Sequence, residues 1–230
     1  MKTLGLIGGI APESTIDYYR RLIAACRERA GDGSYPSILI NSIDLTKMLS
    51  LVASDRGALT AWLVEELERL ARAGAELGAF ASNTPHLVFD EVQRASPIPL
   101  VSIVDAARDA ATARGLRRVA LLGTRFTMTG PFYPAVFAAA GIAVVTPAPE
   151  EQDYVHTTYM NDLVAGRFED PTRNRFLHLI ETLQTRESID GVVLAGTELP
   201  LLLRETALPG LTLLDTTALH VAAIVERLFP

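Results

Sequence analysis

Cysteine is nearly missing from this chain: Cys26 is the single one among 230 residues. It has no partner for an internal disulfide and cannot build a thiolate metal cluster. The histidines are His86, His156, His178 and His220, and none has a carboxylate or thiol at ligand spacing, so no metal site is expected. A basic excess is missing too. Lys and Arg number 21 against 27 Asp and Glu, for a net charge of −6, and the cations are scattered, which argues against a nucleic-acid or anionic-membrane surface. No stretch approaches the roughly 18 uninterrupted apolar residues of a membrane helix; even Leu199–Leu203 runs straight into Arg204 and Glu205. The opening run Met1–Ile7 ends at Gly8-Gly9, too soon for a signal peptide. Polyproline, Gly/Ser tethers and charge blocks are also missing. Together these absences predict a soluble, cytoplasmic protein whose partner is a small molecule, with no nucleic acid and no membrane.

What is present is apolar content, 49% of the residues, enough for a substantial core. Short apolar runs bounded by Gly or Pro alternate with amphipathic stretches: Leu4–Ile7 and a helix from about Glu13, Ser37–Ile40 and a helix from about Asp55, Leu77–Ala81 and a helix from about Pro85, then Leu100–Ile103. The alternation resumes with Val119–Leu122, a helix after Gly130, Ala143–Val145, helices around Val155 and Thr172, Gly191–Leu194, Thr212–Leu214 and a last helix. Such alternation is the mark of βα units. Leu6 through Tyr18 can be laid over Leu121 through Tyr133, and nearly the same offset separates Ala81-Ser82-Asn83-Thr84 from Ala195-Gly196-Thr197-Glu198. The expectation is an α/β fold of two similar Rossmann-like lobes with parallel sheets related by a pseudo-twofold, and a site in the cleft between them. The boundary between the lobes is expected near Pro97-Ile98-Pro99.

Each strand-end motif puts polar atoms where a strand gives way to a loop. Gly8-Gly9-Ile10-Ala11-Pro12 lacks the third glycine of a dinucleotide loop and carries Pro where a phosphate loop needs amides, so close backbone approach to a small substrate is the better reading of Gly9 and Ile10. Asn83 and Thr84 also suit a helix N-cap. Cys26 shares a helix with Leu22 and Ile23 and reads as core.

Five ordered motifs are recognisable: Gly8-Gly9-Ile10-Ala11-Pro12-Glu13-Ser14-Thr15, Ser82-Asn83-Thr84-Pro85-His86, Leu121 through Met128, Gly196-Thr197-Glu198, and Asp215-Thr216-Thr217-Ala218-Leu219-His220. Together they resemble the aspartate/glutamate racemase family, from the first strand to the final helix. The resemblance implies two Rossmann-like lobes, with the C-terminal segment returning to the first so that they span 1–98 plus 209–230 and 99–208, a homodimer, and racemisation without pyridoxal phosphate, metal or nucleotide, hence no cofactor. It also implies substrate contacts from Gly9, Ile10, Asn83, Thr84, Thr124, Thr127 and the Gly196 strand end. Lys47 falls where the family places a cation for a side-chain carboxylate, while a surface lysine is the plainer reading. A second cation is not evident near Leu163 and Val164, although Arg125 or Arg167 could stand in.

The family's hallmark is a pair of cysteines, and the matching positions here are Ser82 and Gly196. A thiol with a pKa of about 8.5 can be tuned into a useful thiolate; a serine hydroxyl is a far weaker acid, and glycine has no side chain. Racemisation by two thiols is therefore excluded. Three outcomes remain open: an isomerase of a small amino acid or dicarboxylate whose acid and base come from Ser82, Thr197, Glu198 or His86; a lyase or cyclase needing one proton step; and a binding protein without turnover. Glu198 could equally be a structural, hydrogen-bonded residue, and the space left at Gly196 could admit water, a larger substrate or another side chain.

Overall fold

The runs Leu4–Gly8, Leu77–Phe80 and Gly191–Ala195 are buried at every position. Strands covered on both faces need no polar alternation, which is why these segments read as unbroken apolar runs. The computed structural model describes residues 1–203 and 208–229. Arg204 and Glu205, the charged interruption after Leu203, lie outside the described residues, as does Pro230, the last residue of the expected first lobe.

In chain order the elements are β1 (Leu4–Gly8), α1 (Pro12–Ala30), β2 (Ile38–Ser42), α2 (Leu45–Ser54), α3 (Arg56–Arg72), β3 (Leu77–Phe80), a 3₁₀ turn (Thr84–Val88), α4 (Phe89–Ala95), β4 (Leu100–Val101) and α5 (Ile103–Ala113). They continue with β5 (Arg118–Gly123), α6 (Arg125–Thr129), α7 (Phe132–Ala138), β6 (Ala143–Val145), α8 (Pro149–Thr158), a π-helical turn (Tyr159–Leu163), α9 (Asp170–Glu187), β7 (Gly191–Ala195), α10 (Leu199–Leu202), β8 (Thr212–Asp215) and α11 (Thr216–Leu228). Two four-stranded, all-parallel sheets result, ordered β2-β1-β3-β4 and β6-β5-β7-β8. The fold is α/β with two Rossmann-like lobes. Among the described residues no helix is long and apolar enough to cross a membrane.

The shared strand order places the functional motifs. In each sheet the first strand lies between the second and the third, so connections leave the two central strands in opposite directions. A crevice opens at the carboxyl ends of such a strand pair, and open α/β sheets bind ligands there. The register sets Ile7 opposite Phe80 and Gly123 opposite Ala195, which puts the Gly9 turn beside Ser82 and Thr124 beside Gly196.

The chain divides into two compact units, Met1–Ile103 with His220–Pro230, and Val104–Leu219. Both expected boundaries move. Leu100 and Val101 pair with Gly78 and Ala79, so β4 completes the first sheet instead of opening the second lobe. Thr212–Asp215 pair with Gly191–Leu194, so β8 completes the second sheet instead of returning to the first. Strand pairing, set by residues distant in the chain, outranks the Pro97-Ile98-Pro99 punctuation and the resemblance that suggested those limits.

In the first unit Leu4, Leu6, Tyr18, Leu22, Cys26, Leu77 and Ile224 form one apolar cluster. Cys26 is fully buried, and desolvation pushes its thiol pKa up. In the second, Leu122, Val155, Tyr159, Phe176, Ile180 and Leu194 pack together.

Candidate active site

At the end of β1 the chain makes a tight turn. Gly9 has a φ of +85°, and a Cβ there would stand 2.8 Å from the Ile43 nitrogen and 2.8 Å from Ser42 Oγ, so only glycine fits. The Gly9 N–H donates to Thr15 Oγ1 at 2.9 Å, and Ser14 Oγ donates to the Ala11 carbonyl at 2.9 Å, which ties the turn to the first coil of α1. Ile10 is buried in this turn. Beside it, Ala81 N–H donates to the Ile7 carbonyl at 2.8 Å, extending the ladder one residue past β3 before Ser82, Asn83 and Thr84. These three residues are 5%, 2% and 5% exposed. Asn83 precedes the 3₁₀ turn but makes no side-chain cap bond, so the N-cap explanation for its amide does not hold. The structure thus brings Gly9, Ile10, Ser82, Asn83 and Thr84 to one strand end.

The second unit has the counterpart. Thr124 caps α6, its Oγ1 accepting from Thr127 N–H at 3.4 Å and lying 3.1 Å from Thr127 Oγ1; the capping role proposed for such residues is realised at this position. Next to it, β7 ends in Gly196, Thr197 and Glu198. Thr197 is 1% and Glu198 0% exposed. Thr197 Oγ1 donates to Glu198 Oε2 at 3.0 Å, and the Tyr159 hydroxyl donates to the same Oε2. Two hydroxyl donors from different elements thus meet on one carboxylate oxygen. Burial, and then the adjacent Glu198 charge, raise the Tyr159 pKa well above its usual value.

The Gly196 side is filled by Tyr159. A Cβ at 196 would lie 3.0 Å from Tyr159 Cζ and 3.2 Å from its hydroxyl, and closer still to Cε2. Of the occupants considered for that space, the side chain from elsewhere is the one found. Tyr159 starts the π-helical turn, whose Val164 N–H donates five residues back to the Tyr159 carbonyl at 3.0 Å. The sequence reading missed Tyr159 as a site residue. Its signal was indirect: a glycine where related chains carry a side chain leaves a volume that something must fill.

His86 does not have a proton carrier's surroundings. Its ring stacks on Phe89 at 4.7 Å and 5°, and its Nε2 accepts from Ile103 N–H at 3.2 Å. Desolvation, with the neighbouring His220 acting in the same direction, lowers its pKa to about 3. It stays neutral and serves packing, which corrects its place among the candidate acids and bases. His220 is equally buried: Nε2 donates to the Val101 carbonyl at 2.9 Å, which leaves Nδ1 to accept from the Tyr18 hydroxyl at 2.9 Å.

The candidate cations have other engagements. Lys47 lies in α2 rather than on a loop, exposed, with its ammonium 4.4 Å from the centre of the Trp62 ring. Arg125 pairs with Asp153 at 2.9 Å and Arg167 with Asp162 at 2.8 Å. Among the described residues no group of three His, Cys, Asp or Glu is placed to hold a metal ion.

Comparison with known proteins bears on the family and the fold. Residues 7–224 match the family described as Asp/Glu/Hydantoin racemase. The broad specificity amino-acid racemase RacX of Bacillus subtilis (strain 168) is 24% identical over 145 residues; the match spans 62% of this chain and 63% of RacX, less than two thirds of that protein's length. An aspartate racemase homologue from Pyrococcus horikoshii OT3 superposes with a TM-score of 0.85 at 37% identity, covering 100% of both chains. The aspartate racemase of Picrophilus torridus, 20% identical, shares the fold with a TM-score of 0.77 over 99% of this chain and 94% of its own.

Proposed function

Because this chain belongs to the Asp/Glu/hydantoin racemase family, whose members are isomerases, we propose that it is a cofactor-independent amino-acid racemase acting without thiols. The observation that carries the reading is the pair of buried polar strand ends, Ser82-Asn83-Thr84 after β3 and Thr197-Glu198 after β7, set at the same place in two sheets of identical strand order. In this reading the substrate is a small amino acid or dicarboxylate. Racemisation breaks the Cα–H bond, leaves the electron pair on Cα beside the carboxylate, and returns a proton to Cα. Glu198, the fully buried acid of the Gly196-Thr197-Glu198 strand end, is assigned as proton acceptor. Ser82 is assigned as a hydroxyl relay that gives its proton to Cα while taking one from solvent water, and Asn83 and Thr84 as donors to the substrate carboxylate. Lys47, held on Trp62, is not assigned a substrate side chain; a preference for aspartate therefore lacks a cation to enforce it.

A second reading, binding without turnover, is favoured by one observation: Ser82 is a weak acid and His86, the nearest imidazole in sequence, is held neutral. Exchange of the Cα proton in deuterium oxide, followed by mass or NMR over a panel of D- and L-amino acids, separates the two. Enzyme-dependent exchange with loss of optical rotation is expected. Saturable binding with no exchange in any member of the panel would establish the binding protein instead.

A further inference from the structure

Gly196 has no conformational reason to be glycine, because its φ lies outside the left-handed region. The reason is space: a Cβ there would run into the Tyr159 ring, which is wedged in the second core and 5% exposed. A ring in that position could have been phenylalanine if packing were all it supplied. Instead it carries a hydroxyl that donates to Glu198 Oε2, the oxygen that also accepts from Thr197 Oγ1. Two neutral donors thus meet on one carboxylate oxygen, Tyr159 from the π-helical turn and Thr197 from its own loop.

We propose that Tyr159 is a positioning residue for Glu198, fixing its orientation and holding it as the carboxylate, and that Gly196 is the clearance that lets the Tyr159 ring reach it. The inference rests on the reading of Glu198 as proton acceptor. A carboxylate loses reactivity as a base when it rotates away or takes up a proton early, and a hydroxyl donor resists both. Position 196 and position 159 are then one device: a side chain at 196 displaces the ring, and displacement of the ring releases the carboxylate.

The test compares wild type with Tyr159→Phe, which keeps the ring and removes the oxygen. Infrared titration of the Glu198 carboxyl, identified by its loss in Glu198→Gln, should show the Tyr159→Phe midpoint raised by roughly one unit. In the exchange assay kcat should fall about 10- to 100-fold, with KM within about twofold, and the acidic limb of the pH profile should move up by the same roughly one unit as the carboxyl. Gly196→Ala should shift the carboxyl in the same direction, and the Gly196→Ala/Tyr159→Phe pair should shift it no further than either alone. An unchanged carboxyl midpoint in Tyr159→Phe overturns the proposal, and so does a shifted midpoint with an unmoved rate profile. Should Gly196→Ala fail to fold, Tyr159→Phe decides alone. Absence of exchange in the wild type overturns the functional reading instead, and the infrared arm then judges the coupling of Tyr159 to Glu198 by itself.

Discussion

In the proposed racemase reading, serine, glycine, tyrosine and glutamate at these strand ends stand in for two thiols, and each residue type sets a limit on how. Ser82 keeps a polar atom of nearly thiol size at the end of β3, but its hydroxyl cannot act as a standing base near neutral pH. Glu198 is the residue proposed for that role, and its replacement is the sharpest local test. Glu198→Gln preserves shape and should lower Cα-proton exchange by at least about 100-fold, measured in deuterium oxide at saturating substrate; a loss under threefold would remove Glu198 from the mechanism. Gly196→Cys would not install a working thiol, because its Cβ enters the space of the Tyr159 ring. That variant should lose about 1–3 kcal/mol of stability by overpacking, read from urea midpoints, whereas Ser82→Cys, adding only the larger sulfur, should stay within about 1 kcal/mol of wild type. The Ser82 and Glu198 positions were legible in the sequence because motif and spacing name them. Tyr159 was not, since its value comes from a contact across 39 residues of sequence.

Among elements, strands were easier to read than the segments that follow them. β1, β3, β5 and β7 coincide with apolar runs because burial on both faces writes itself into composition. The segment after β2 was read as one helix from Asp55; the structure has two, with Asp44 capping α2 and Asp55 ending it and capping α3, its Oδ1 accepting from Ala58 N–H at 2.9 Å. An Asp that ends one helix and starts the next leaves no gap in the hydrophobic period to mark the break. The 3₁₀ turn after Thr84 and the start of α11 share a buried consequence. His86 and His220 are neutral in the folded chain, with pKa values lowered to about 3 and about 4, against about 6.5 when unfolded. A depressed imidazole pKa means the unfolded chain binds more protons below about 6.5, so the stability these two groups confer is complete above that pH and is lost as pH falls toward 4 and then 3. Denaturant midpoints should therefore decline below about pH 6.5, each histidine adding a slope on the order of 1 kcal/mol per pH unit. A flat profile between pH 6.5 and 4.5 would contradict the buried neutral assignment. Tyr18→Phe, which removes the donor to His220 Nδ1, should cost about 1–3 kcal/mol at pH 7.

For the molecule as a whole, the scarcity of cysteine becomes a prediction about reagent sensitivity. Cys26 is fully buried with its pKa raised by desolvation, and a thiol of that kind reacts slowly. Native protein treated with iodoacetamide should keep its exchange activity and remain unmodified by intact mass, and should take up one alkyl group only on unfolding. Loss of activity on native alkylation would place a thiol in the reaction after all. By itself the sequence determined the α/β class, the duplicated strand-end motifs, the family and the presence of a single cysteine, because these follow from composition, local pattern and residue identity. Tertiary structure alone decided where the sheets close, with β4 in the first and β8 in the second, and what stands beside Gly196. Strand pairing and the filling of a volume are set by residues distant in the chain, and no local pattern around Gly196 says that a tyrosine from a π-helical turn will occupy its missing side chain's place and hand its hydroxyl to Glu198.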